Sequence, residues 1–96
     1  MPVKRTFIEE LEFGGWFDFS IDGVIYSVDA MGFSTVVDGD PYVCNYAICP
    51  LNSEGGWNKD EMFNSIDELL EYKLVDGTIL KNRLNDIKEI HRIVCA

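Results

Sequence analysis

The chain has 96 residues, 47% of them apolar and 26% charged, and carries a net charge of −9. That length suits one domain able to bury roughly two thirds of its unfolded surface, and the composition is globular, not disordered. Residues 6–58 hold nine acids and no Lys or Arg, while residues 59–96 hold eight acids and six bases, which excludes binding to a nucleic-acid backbone, since that needs Lys and Arg to displace counterions.

No apolar run approaches the roughly 18 residues of a membrane span. Lys4 and Arg5 are followed by no apolar signal segment, so a cytoplasmic location is expected. Three cysteines make an odd count, which fits reduced thiols better than a disulfide framework.

In chain order, residues 6–12 predict one short helical turn with Phe7 and Leu11 on one side, ended by Gly14 and Gly15. WFDFSI, Asp22-Gly23 and VIYSVD then predict a hairpin with a two-residue turn. Such a turn pairs Ile21 with Val24, Phe19 with Tyr26 and Phe17 with Val28 on one apolar face. Trp16 then faces Asp29, Asp18 faces Ser27, and Ser20 faces Ile25 on a polar, acidic face. Slipping the register by one residue would bury Asp18 and Asp29, so the pairing is specified.

Residues 33–37 read as a third strand, 38–41 as a turn that includes Pro41, and 42–48 as a fourth strand. Residues 50–59 read as a loop, and Met62-Phe63 as a short edge strand. Residues 65–87 predict two short helices broken at Asp76-Gly77. Ser65 and Glu68 form a capping box at the first, with Ile66, Leu69, Leu70 and Lys73 on one side. The second begins at about Thr78 and places Ile79, Leu80, Leu84 and Ile87 at helical spacing. For residues 88–96 the spacing of Ile90, Ile93 and Val94 suits a helix continuation or a last strand, and continuation is the expectation. The expected fold is therefore α+β, an antiparallel β-meander of three to five strands packed on one face by two short C-terminal helices, in a single domain over residues 1–96.

Cys44, Cys49, His91 and Cys95 have the ligand types of a zinc site. If residues 42–49 form one strand, however, Cys44 and Cys49 point to opposite faces, and packed thiols are the simpler reading. A Cys–His nucleophile would need a held base and a pocket, and Asp38-Gly39-Asp40 lacks the further oxygens of a calcium loop. No phosphate-cradling loop, nucleophile elbow or dinucleotide fingerprint is present. The expectation is a protein with no catalytic residues and no cofactor.

Two features point to recognition. Asp18, Asp22 and Asp29 beside Trp16 offer complementary charge and an aromatic anchor to a basic protein partner, against the alternative of an ordinary solvated sheet face. Trp57, in its Gly-Gly loop, serves either as a lid on the core or as a contact.

The hairpin followed by SIDELLEYKLVDGTILKNRL resembles small proteins of Firmicutes and their phages or mobile elements, which pair a short β-meander with an I-D-E-L-L…D-G-x-x-L tail. The likeness covers residues 16–87 and rests on residues 66–70 and 76–80. It implies a fold of that kind and assigns no site, and residues 49–59 make a longer connection than it implies. The expected function is protein–protein binding of an inhibitor or immunity type. A self-assembling structural module stands as the alternative, and a zinc-binding protein as the third reading.

Overall fold

A computed structural model describes residues 6–51 and 59–94. Helix α1, Phe7–Phe13, opens on a full capping box: Thr6 Oγ1 accepts the Glu9 N–H at 3.1 Å, and the Glu9 carboxylate accepts the Thr6 N–H at 2.8 Å. It closes at Gly14, φ 85°, whose N–H donates to the Glu10 and Leu11 carbonyls. Phe7 and Leu11 are buried beneath it.

Strands β1, Trp16–Ile21, and β2, Val24–Asp29, pair in the expected register at all six positions. The turn places Asp22 at φ 53° and Gly23 at φ 81°, both in the left-handed region that matches the twist of a tight hairpin. Phe17, Phe19, Ile21, Tyr26 and Val28 are buried on one face. Phe19 stacks on Tyr26 with centroids 5.3 Å apart, and Phe7 meets Phe17 and Phe19 edge-on.

The expected fourth strand is in fact two. Strands β3, Phe33–Val37, and β4, Asp40–Cys44, form a separate two-stranded ribbon, whereas β5, Tyr46–Pro50, joins the main sheet beside β2. The break falls at Asn45, whose N–H donates to the Phe63 carbonyl and whose side-chain amide donates to the Asn64 carbonyl. Pro41 lies within β4 opposite Val36, not in the turn, and a strand at the edge of a ribbon tolerates its missing N–H. The predicted edge strand is present as β6, Met62–Phe63.

The C-terminal part departs most from expectation. Helix α2, Ile66–Leu69, is a single turn; Ser65 Oγ accepts the Glu68 N–H as expected, but the Glu68 carboxylate accepts from Asn64 N–H, one residue earlier than a capping box requires. Asp76-Gly77 then reverses the chain, so that the Leu80 and Lys81 N–H groups donate back to the Tyr72 and Leu70 carbonyls. These bonds hold residues 80–86 as a 3-10 turn, not an α-helix. Residues 88–94 are not a helical continuation but strand β7, Lys88–Val94, antiparallel to β1.

The result is an α+β fold with a five-stranded antiparallel sheet in the order β6-β5-β2-β1-β7. One face carries the main core, to which α1 contributes Phe7 and Leu11, α2 contributes Leu69, and the reversed segment contributes Tyr72, Leu74 and Leu80. The Tyr26 hydroxyl accepts the Val75 N–H at 3.2 Å and so ties hairpin to tail. Cys44, Ala47 and Met62 form a second, smaller core with Tyr42 packed against it. Because Ala47 alternates with the main-core residue Ile48 along β5, this cluster lies on the opposite face, under the root of the ribbon.

Candidate functional site

The root of the ribbon packs on the β5–β6 end of that second face through Cys44 and Tyr42. Over β1, β2 and β7 the face is open among the described residues, with Trp16 and Ile25 exposed, and strand alternation with the register places Trp16, Asp18 and Ser20 beside Asp29, Ser27 and Ile25 on one side. On the other side, His91 lies opposite Asp18 and Lys88 opposite Ser20.

Trp16 is 41% exposed, and its indole N–H donates to the buried Ser27 hydroxyl at 2.6 Å, which pins the ring against the sheet. Asp18 is half-buried, and its Oδ1 is fully buried with no hydrogen-bond partner among the described residues. Asp29 Oδ1 accepts the Met31 N–H at 3.0 Å and closes the turn that follows β2. An open groove of about 540 Å³ runs beside Asp18, lined by Ser20, Gly23, Ile25, Glu89 and His91.

Of the residues expected to meet a partner, the fold brings Trp16, Asp18 and Asp29 together. Asp22 sits apart at the hairpin tip, where Arg83 pairs with it at 2.5 Å, with Asp86 at 2.6 Å and with Asp76 at 2.8 Å. Hydrogen bonds from the Thr78 hydroxyl and N–H, with Arg83 adding to them, hold Asp76 below the usual carboxylate range. Asp22 thus clamps the hairpin to the tail. Trp57 and Cys95 lie outside the described residues.

The charge pattern of the linear chain does not survive folding. Strand β7 carries Lys88, His91 and Arg92 to the acid-rich hairpin, but only Lys88 and His91 share the open face. Arg92 lies opposite Phe17, on the core side, where it bonds Glu10 and the Gly14 carbonyl. Glu89 and His91 belong to the groove because this segment is a strand and not the expected helix. Its β-branched residues, Ile90, Ile93 and Val94, were the available signal for a strand.

The zinc candidates do not converge. Cys44 is fully buried in the second core, while Cys49 faces Ser27 from β5. His91 is three strands away from Cys49, about 14 Å at the usual strand spacing. Among the described residues, no group of three or more His, Cys, Asp or Glu could hold a metal ion. Among the same residues, no helix is long and apolar enough to cross a membrane.

Burial, with Asp29 adding to it, raises the Cys44 thiol. Burial, then Glu61 and Asp18, push Cys49 up to about 11. At pH 8 Cys49 should therefore hold about two orders of magnitude less thiolate than an ordinary cysteine. Peptide-resolved mass spectrometry after timed alkylation should find it modified correspondingly slowly. Because the shift favours the protonated thiol, its contribution to stability is intact below the unfolded thiol's value and is lost as pH rises toward about 11. Cys49→Ser should flatten that alkaline limb.

No family model, curated protein or solved structure matches this chain.

Proposed function

We propose that this chain is a non-catalytic protein that works by binding a basic protein partner through the open face around Trp16 and Asp18, as a small cytoplasmic inhibitor or immunity protein does. The observation that carries this reading is the half-buried Asp18, whose Oδ1 has no hydrogen-bond partner among the described residues, on the same face as a pinned but exposed Trp16. A buried carboxylate oxygen without a partner costs the free protein stability, and a rigid exposed aromatic is the kind of residue that anchors an interface. The net charge of −9 would steer a basic partner toward the face. The resemblance of residues 66–70 and 76–80 to proteins of Firmicutes and their phages is the ground for placing it on a mobile element.

The test is capture from lysate by the tagged protein at low and high salt. The expected result is one basic protein, retained at low salt, released at high salt and lost with Asp18→Lys. Retention of the same proteins by Asp18→Lys, or indifference to salt, would sink the proposal.

A second reading is self-assembly through the ribbon. It is favoured by Val36 and Val43, which are 69% and 66% exposed and project from one face of β3 and β4. Light scattering on a concentrated sample distinguishes the two, since self-assembly requires a mass that grows with concentration and falls with Val36→Lys.

A further inference from the structure

We infer that the groove beside Asp18 seats an arginine side chain of the partner. This rests on the binding role proposed above and names the chemistry at its centre.

The groove, at about 540 Å³, falls within the range of about 300–1,000 Å³ usual for ligand sites. Its lining offers both an apolar wall and acidic groups. Ile25, exposed and apolar, offers a wall for a methylene stem. At Gly23 the space where a Cβ would stand is empty to 4 Å, which leaves the hairpin end of the groove open.

At the other end stands the Asp18 carboxylate, and Glu89 supplies a second acid from β7, where a positive φ of 56° marks the irregular pairing with β1. Ser20 Oγ donates its proton to the Lys88 carbonyl at 3.2 Å, so its lone pairs remain as acceptors. Lys88 and His91 are exposed and their side chains reach solvent. Asp18 and Glu89 set two carboxylates in the groove against the one ammonium of Lys88 beside it, a balance that favours a cation.

Arginine fits this set of acceptors better than lysine. Its planar fork of N–H donors reaches several oxygens at once, and it is less strongly hydrated than a compact ammonium. The two oxygens of the Asp18 carboxylate match that fork, and the Ser20 hydroxyl on the same strand face is a further acceptor.

The probe is N-acetyl-L-arginine amide, titrated into the ¹⁵N-labelled full chain and followed by amide shifts, with the lysine and citrulline analogues in parallel. The expected shifts centre on Asp18, Ser20, Gly23, Ile25, Glu89 and His91. Arginine should bind more tightly than lysine, citrulline should leave the groove amides unmoved, and Asp18→Asn should weaken arginine about tenfold or more. Ile25→Ala, at an exposed position, should weaken it less. Shifts spread over exposed acids such as Asp67 and Glu71, equal binding of lysine, or an Asp18→Asn variant that binds arginine as well as the wild type would each overturn the inference. If capture of a protein partner depends on Asp18 while the arginine probe moves no groove amide, this inference falls and the wider one stands. If capture is independent of Asp18, the wider one falls.

Discussion

Arg92→Ala should lower the unfolding free energy by about 3–5 kcal/mol, the usual consequence of removing one partner of a buried ion pair. The Arg92 and Glu10 side chains are only 17% and 11% exposed. Arg92 Nε donates to Glu10 Oε1 at 3.1 Å, and its terminal nitrogens donate to the Glu10 and Gly14 carbonyls at the end of α1. The guanidinium also lies 4.7 Å over the Phe13 ring and 5.3 Å from that of Phe17. One side chain therefore ties the edge strand β7, helix α1 and the central strand β1 together. Arg92→Lys keeps the charge but not the fork, and should fall between alanine and wild type. Glu10→Gln added to Arg92→Ala should recover part of the loss, because much of the cost is a carboxylate deprived of its cation. Urea unfolding followed by tryptophan fluorescence measures all three, and a loss under about 1 kcal/mol for alanine would contradict this role.

Leu80→Ala should cost about 2–5 kcal/mol. Leu80 is 0% exposed and belongs to the main core, although it lies in a 3-10 turn without a side-chain cap. Its backbone N–H bonds Tyr72 O, so the backbone is not free to move into the cavity that truncation would leave. Leu84→Ala, at a half-buried position, should cost less. Equal and small effects at both sites in chemical denaturation would show that the tail does not cover the core.

The hairpin was legible because Asp22-Gly23 dictates both a turn type and, through its length, every cross-strand pair. The Ser65 cap and the Met62-Phe63 edge strand were legible for similarly local reasons. The tail was not. Its apolar spacing suits an α-helix, but the reversal at Asp76-Gly77 lets Leu80 and Lys81 bond carbonyls of the preceding segment. The resulting 3-10 repeat places Arg83 and Asp86, three apart, on one side as an ion pair. Beyond it, β7 forms because β1 has an unclaimed edge, a fact set by strand order and not by residues 88–94. Asn45 likewise ends a strand through bonds to Phe63 and Asn64.

The site divides along the same line. Trp16, Asp18 and Asp29 share a face by strand parity alone, and were visible in the chain. Glu89 and His91 join them only through the β1–β7 pairing, and Asp22 is drawn away by Arg83, 61 residues distant.

Asp18 is the residue on which a binding role and a folding role make opposite demands. If its carboxylate awaits a cation, the free protein bears the cost of a buried oxygen that no described residue satisfies; if it supports the fold, removing its charge must weaken the fold. The direct measurement is the unfolding free energy of Asp18→Asn beside that of the wild type, at neutral pH and equal salt. A partner-binding role predicts an Asp18→Asn variant at least as stable as the wild type, by up to about 1 kcal/mol, and a variant less stable by more than about 1 kcal/mol would contradict it.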